Sequence, residues 1–153
     1  MAKINNQSLP RTNAFTKLQA ETSAAQETND CAVKAVALVC GVSYEVAHAA
    51  CESKGRKARK GMQTYDILRT LSSLNKHFSK VNVQARFVQN YPGAHKNLQS
   101  VTTHHPDRFN KVWADGKTYL MFVKGHVLAV INGTNHDWTR GKARRAISVY
   151  EIL

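Results

Sequence analysis

The sequence predicts an α+β domain in which N-terminal helices pack on a C-terminal antiparallel sheet. Segments with helical patterns occupy residues 31–74, whereas short apolar segments divided by glycine turns occupy residues 117–152. Helices in one half of a chain and strands in the other are typical of the α+β class. A length of 153 residues suits one domain with a sizeable core. We therefore expect a single domain over residues 26–153, preceded by a tail or short helix over residues 1–25.

The central predicted helix runs from Cys31 to Cys40. Residues 28–30 can each cap a helix start, and Gly41 suits the left-handed position that closes a helix. Between these ends, Lys34 is the one plainly polar residue, which is typical of a helix that is buried on most sides. A buried helix would hold Cys31 at a fixed position.

Three other helices are predicted from capping residues and apolar spacing. One lies within residues 14–26, one is capped by Ser43 and reaches Cys51, and one covers residues 62–74. Residues 55–61 form a glycine-bracketed loop with four cations, which we expect to be solvated because no aromatic residues interrupt it.

The second half of the chain has the patterns of β-strands. The predicted strands are residues 81–88, 117–123, 126–131, 134–139 and 146–152. The first alternates apolar and polar residues, as a half-buried strand does. Asn132 and Gly133 are a strong signal for a two-residue hairpin turn between the third strand and the fourth.

Composition limits the partners and the compartment. Lys and Arg number 22 against 10 Asp and Glu, a net charge of +12, which attracts nucleic acid or acidic protein surfaces. The start of the chain lacks the charged and apolar segments of a secretion signal, and no apolar run of about 18 residues occurs. We therefore expect a cytoplasmic protein without a membrane partner. Three cysteines fit reduced thiols better than disulfides in that compartment.

Cys31 and His126 form a candidate catalytic pair. The N–H groups and dipole at a helix start stabilise an anion and lower the pKa of a thiol, so Cys31 is a candidate thiolate nucleophile. Taken alone, it could equally be a small buried hydrophobic residue. His126 begins an otherwise apolar strand, where a polar ring requires a reason. It is either a base for the thiol or an edge histidine bonded to a backbone carbonyl.

The hairpin turn predicts a partner for His126. With a two-residue loop, paired positions sum to 265, so His126 lies opposite Thr139 and has Asp137 as its diagonal neighbour on the same face. A loop one residue longer would turn Asp137 away and leave Asn132 or Asn135 as the candidate. A carboxylate in this place would orient the imidazole and stabilise its charged form.

These residues carry a resemblance to a known family. The motifs are residues 29–37 (Asn-Asp-Cys-Ala-Val-Lys-Ala-Val-Ala), residues 41–46, residues 125–133 (Gly-His-Val-Leu-Ala-Val-Ile-Asn-Gly) and the pair His136 and Asp137. Over residues 26–139 the chain resembles the papain-like cysteine peptidase superfamily, and within it the small bacterial and phage-encoded members. The resemblance implies a papain-like fold and a phage-encoded protein that acts in the host cytoplasm.

The resemblance also implies a role for each site residue. Cys31 would be the nucleophile, His126 the base and Asp137 the residue that orients the base. Relatives use a glutamine about six residues before the cysteine to bind the oxyanion; here Gln26 stands five before it, and Asn29 is the alternative. The substrate would be a peptide, isopeptide or side-chain amide bond in a protein, and no cofactor or metal would be needed.

Two other functions remain open from the sequence. One is a catalytically inactive papain-like binding protein that uses its basic surface to bind nucleic acid or an acidic host protein. The other is a zinc enzyme that uses Cys31, His104, His105 or His126, although these residues lack the local spacing of zinc ligands.

Overall fold

The computed structural model describes residues 9–90, 112–141 and 146–153. The helices in these ranges are α1 (Asn13–Ala24), α2 (Cys31–Cys40), α3 (Tyr44–Ser53), α4 (Thr64–Ser73) and α5 (Val83–Asn90). The strands are β1 (Phe78–Lys80), β2 (Thr118–Val123), β3 (His126–Ile131), β4 (Thr134–Asn135) and β5 (Ala146–Ile152). They form one antiparallel sheet in the order β1-β5-β2-β3-β4. The predicted α+β class is confirmed.

Helix α2 is the centre of the fold. Eight of its ten residues are buried, and it packs on β3, α3 and α4. Gly41 closes it at a φ of +65° and donates its N–H to the carbonyl of Ala37, as the left-handed cap requires. The predicted bounds of this helix are confirmed.

The sheet has two buried faces. One face packs against the helices through Leu120, Phe122, Val127 and Ala129. The opposite face, which includes Tyr119, Met121, Leu128 and Val130, packs against Trp113 and Val112. The burial of both faces agrees with the nearly continuous apolar sequence of β2 and β3.

The hairpin between β3 and β4 has the predicted register. Asn132 and Gly133 adopt φ values of +47° and +78°, and Ile131 pairs with Thr134. However, β4 ends at Asn135, so the strand predicted over residues 134–139 is too long. After β4 the chain leaves the sheet and forms a turn.

One prediction for residues 76–90 is wrong, and one strand in this range was not predicted. Residues 81–88 do not form a strand: α5 begins at Val83, because Asn82 accepts a hydrogen bond from the N–H of Ala85 through its side chain and acts as a helix cap. The strand in this region is β1, which the sequence pattern did not indicate. It has three residues and pairs with the outer side of β5.

The N-terminal segment is held against the domain from Leu9 onward. Helix α1 buries Phe15 and Leu18. Before it, the N–H of Leu9 donates to the carbonyl of Arg140 at 2.9 Å, and the Arg140 guanidinium donates to the carbonyl of Pro10 at 2.7 Å. The short helix predicted here is present, and residues 9–12 are bonded to the turn after β4 rather than forming a tail.

Within the described ranges, no single helix has the length and apolarity to cross a membrane. Helices α2 and α3 pass that test only as a pair, and they meet at a bend of 116°.

Candidate active site

Cys31 occupies the N-terminal end of α2, where it is partly exposed. Cys31 and His126 line the same two cavities, and the sulfur interacts with the side chain of His126 and with the backbone N–H of Val127, the first two residues of β3. Because α2 packs directly on β3, the helix and the sheet bring these groups to one place. Residues 31 and 126 are in contact although 95 positions separate them in the sequence.

The thiol of Cys31 differs from the other two cysteines in its pKa. Burial alone would raise the pKa of Cys31, but the hydrogen bond and positive charge of His126 and the N–H of Val127 lower it below its ordinary value. Burial raises the pKa of both Cys40 and Cys51 to about 11. Cys31 is therefore the thiol that ionises most readily.

Asp137 holds the ring of His126. The Nε2 atom of His126 lies 2.7 Å from Oδ2 of Asp137, and the two side chains are only 12% and 7% exposed. The same oxygen accepts hydrogen bonds from the hydroxyl and the N–H of Thr139, at 2.7 and 3.2 Å. Burial opposes the charged imidazole, but the bonds to Asp137 and Cys31 raise the pKa of His126 to about 9. With Nε2 bonded to Asp137, Nδ1 is left for the sulfur.

The structure selects Asp137 from the three candidates for this position. The side-chain oxygen of Asn132 accepts a hydrogen bond from a backbone N–H in the turn before β2. Asn135 is fully buried and donates to the hydroxyl of Thr139. Thr139 was expected opposite His126 on a strand; in the structure it lies in the turn and binds the carboxylate of Asp137 instead.

Trp138 covers the imidazole, and sequence reasoning did not identify it. Its ring centroid lies 5.7 Å from that of His126, with the two rings tilted by 57°, so the indole packs beside the imidazole. The neighbouring His136 is hydrogen-bonded through Nδ1 to the hydroxyl of Thr12 at 2.8 Å. The N-terminal segment thus fixes the turn that carries Asp137 and Trp138. The one feature of the sequence that could have indicated Trp138 is that it directly follows Asp137, a candidate site residue.

Asp30 supports the start of α2 from behind. It occupies the N-cap position without bonding to the helix N–H groups; instead, Oδ2 accepts from the hydroxyls of Thr22 and Tyr44 at 2.6 and 2.7 Å. Burial would raise the pKa of this carboxyl, but the two hydroxyls and Lys34 lower it. Asp30 directly precedes Cys31, so its hydrogen bonds to Thr22 of α1 and Tyr44 of α3 fix the position at which α2 begins.

A second buried carboxylate, Glu27, orders the two loops next to the site. It accepts hydrogen bonds from the guanidinium of Arg56 at 2.7 Å and from the N–H of Arg59 at 2.7 Å, and it lies 2.5 Å from Nε2 of His48. Arg56 also donates to the carbonyl of Thr28. The basic loop was expected to be solvated, but Arg56 is only 5% exposed, because it neutralises this carboxylate.

The two oxyanion candidates differ in position. Asn29 lines a cavity that also contains Cys31, and its Nδ2 donates to the carbonyl of Arg59 at 3.2 Å, which leaves one amide hydrogen unused by that bond. Gln26 is exposed and lines a separate cavity beside α3, so the structure does not bring it to the sulfur. The N–H of Cys31 is also available, since the first residue of a helix has no acceptor within that helix.

Two cavities meet at Cys31. The larger, of about 500 Å³, is mainly apolar and is lined by Met62, Ile67, Phe122, Val127 and Ile147 among others. The smaller, of about 370 Å³, is polar and is lined by Asn29, Asp30, Lys34, Asp137 and Trp138 among others. Both include Cys31, Gly61, Gly125 and His126. The sulfur therefore lies where an apolar and a polar compartment join.

No group of three or more His, Cys, Asp or Glu side chains could hold a metal ion within the described ranges. His104 and His105, which the zinc hypothesis would use, fall outside those ranges. Comparisons of the chain with protein-family models, with curated proteins and with solved structures find no match. The functional assignment therefore depends on the chemistry of the site.

Proposed function

We propose that this protein is a papain-like thiol hydrolase that cleaves a peptide, isopeptide or side-chain amide bond through a cysteine acyl-thioester. The observation that carries the proposal is the chain of contacts from Cys31 to His126 to Asp137. A nucleophile, a base and a residue that orients the base are the parts that covalent acyl transfer requires. The order of these residues, and the position of Cys31 at a helix start, agree with the papain-like fold and with its small phage-encoded members.

The first half of the reaction forms the acyl-enzyme. The Cys31 thiolate attacks the carbonyl carbon, and the N–H of Cys31, with Asn29 beside it, stabilises the oxyanion. The imidazolium of His126 donates its Nδ1 proton to the leaving nitrogen as the C–N bond breaks. Asp137 stabilises the charged ring while it holds that proton. The products are a free amine and a thioester on Cys31.

The second half releases the acid. The neutral His126 takes a proton from water, and the resulting hydroxide attacks the thioester carbonyl. The C–S bond breaks, the sulfur leaves as a thiolate, and the imidazolium is regenerated. An amine in place of water would give transamidation with the same residues, since the acceptor decides the product.

The test uses p-nitrophenyl acetate as the acyl donor. We expect a burst of p-nitrophenolate equal to the enzyme concentration, an acetyl group on Cys31 by peptide mapping, and slow turnover as the thioester hydrolyses. Cys31→Ala should abolish the burst, whereas the matched variant Cys40→Ala should retain it. Absence of acetylation, or equal acetylation of Cys31, Cys40 and Cys51, would refute the proposal.

The net charge of +12 favours a second candidate, a basic module that binds nucleic acid or an acidic host protein. Its distinguishing sign is tight, salt-sensitive binding of nucleic acid that survives Cys31→Ala, combined with no burst in the p-nitrophenyl acetate assay.

The alkylation rate of Cys31 is expected to depend on pH in two steps. Because the pKa of the thiol is lowered, the rate with iodoacetamide should reach a plateau below about pH 8.5, the ordinary pKa of a cysteine. A second change should occur near pH 9, where His126 loses its proton. A single step at the ordinary thiol pKa would contradict an ion pair between the Cys31 thiolate and the His126 imidazolium.

Asp137→Asn should move the second step to lower pH. The carboxylate is one of the groups that raise the pKa of His126 to about 9, and an amide lacks its charge. The shift can be followed by NMR titration of the imidazole. Asn132→Asp is the matched control, because Asn132 does not bond to the ring and its exchange should leave this pKa unchanged.

A further inference from the structure

We propose that Ile147 is a specificity-determining residue that makes the site select a substrate with a large apolar side chain next to the bond that is cleaved. This inference rests on the proposed function and specifies its substrate class. The observations that carry it are an irregularity in β5, the exposure of Ile147, and the chemistry of the cavity that Ile147 lines.

A β-bulge in β5 places the side chain of Ile147. Strand β5 pairs with β2, and the register shifts by one residue between Ser148 and Ala146, so Ile147 is the extra residue. In a regular strand Ile147 would lie on the same face as Val149, away from the helices. The bulge gives that place to Ala146, and Ile147 instead lines the larger cavity beside Cys31. Bulges next to active sites often redirect a side chain in this way.

Ile147 provides apolar surface that the rest of the described protein leaves uncovered. It is 61% exposed, whereas Ile67, Phe122 and Val127, which line the same cavity, are buried. Single exposed apolar residues are common on protein surfaces, but Ile147 extends a buried apolar lining to the opening of a cavity that contains the nucleophile. A substrate side chain that contacts Ile147 and this lining would remove both from water, which is favourable only if that side chain is itself apolar.

The larger cavity offers a charged side chain no partner outside the catalytic pair. Apart from Cys31 and His126, the described residues that line it have no ionisable side chain. A carboxylate or ammonium buried there would lose its water without a compensating ion pair. The smaller cavity, by contrast, is lined by the charged pair of Asp30 and Lys34. With about 500 Å³, the larger cavity is within the range of about 300 to 1,000 Å³ typical of ligand pockets.

The experiment compares two uncharged alkylating probes whose side chains have nearly the same shape. They are the chloroacetyl derivatives of leucine methylamide and asparagine methylamide, and the alkylation of Cys31 is followed by mass spectrometry. A short flexible link joins the side chain to the reactive carbon, so the side chain can enter the cavity whether this serves the acyl or the amine side of the cleaved bond. Each rate is divided by the rate of the same probe with N-acetylcysteine, which removes differences in intrinsic reactivity.

We expect the leucine probe to alkylate Cys31 at least about tenfold faster than the asparagine probe, because the cavity removes the leucine side chain from water. Ile147→Asp should lower this ratio at least about threefold, since it replaces apolar surface at the opening by a hydrated carboxylate. Ile147→Ala, which adds no charge, should lower it by a smaller factor. Thermal unfolding of each variant shows that it is folded.

The matched control is Val46→Asp. Val46 is also β-branched and is 46% exposed, but it lies on α3, outside the lining of both cavities that contain Cys31. This variant should keep the wild-type ratio. Because the ratio is taken within each variant, a change in the intrinsic reactivity of Cys31 cancels.

Three outcomes would overturn the inference and leave the proposed function standing, provided that Cys31 reacts much faster than Cys40. They are equal rates for the two probes, an unchanged ratio in Ile147→Asp, and an equal loss of the ratio in Val46→Asp. Reaction of Cys31 no faster than Cys40 with either probe would refute the proposed function itself.

Discussion

His126→Ala is expected to slow the acetylation of Cys31 by p-nitrophenyl acetate at least about a hundredfold at neutral pH. The hydrogen bond and charge of His126 oppose the effect of burial on the thiol. Without them, burial would raise the pKa of Cys31, so the thiolate fraction would fall and the proton acceptor would be lost. The measurement is the burst rate, with thermal unfolding recorded in parallel to show that the variant is folded.

The control for this variant is His77→Ala. His77 has an exposed side chain, and its backbone carbonyl accepts from the N–H of Leu153. Its removal should leave the burst rate of Cys31 unchanged. If His126→Ala reacts as fast as His77→Ala, the imidazole has no part in activating the thiol.

Arg56→Ala is expected to lower the free energy of unfolding by about 3 kcal/mol. The side chains of Arg56 and Glu27 are 1% and 4% exposed, so removal of the cation leaves a buried carboxylate without its main partner. The guanidinium of Arg56 is the largest cause that lowers the pKa of Glu27 to about 2 from an ordinary 4.5, and burial opposes it. Denaturant unfolding at neutral pH measures the loss.

The same pair predicts how stability depends on pH. Since the folded pKa of Glu27 is depressed, its contribution is complete above about pH 4.5 and is lost as the pH falls toward about 2. Arg56→Ala should therefore be less sensitive to acid than the wild type in this window. Lys57 is an exposed neighbour in the same loop. Lys57→Ala should unfold like the wild type both at neutral pH and within this acidic window. Equal stability of the two variants would show that the buried pair contributes nothing.

Local signals were sufficient where short-range chemistry determines the structure. Gly41 gave the correct end of α2, and Asn132 with Gly133 gave the correct hairpin register, because each feature depends on backbone preferences within a few residues. The start of α2 was also predicted correctly, although the side chain of Asp30 bonds to Thr22 and Tyr44 and not to the helix N–H groups. The register in turn placed Asp137 near His126, a contact that the structure contains.

Long-range contacts were beyond the reach of such signals. Strand β1 has three residues and exists through its pairing with β5, which lies about 70 positions away in the sequence. The bond between Glu27 and Arg56 links residues 29 positions apart and leaves no periodic pattern. The wrong strand over residues 81–88 has a different cause. The capping residue Asn82 was present in the sequence, but the alternation of residues 81–83 favoured a strand.

The central claim is that His126 makes Cys31 a thiolate, and competitive alkylation tests it most directly. The native protein is treated with limiting iodoacetamide at about pH 6.5, and the modification of Cys31, Cys40 and Cys51 is quantified by peptide mapping. The lowered pKa of Cys31 and the pKa values of about 11 for the other two thiols predict that Cys31 is modified at least about a hundredfold faster. Equally slow modification of all three cysteines would contradict the account.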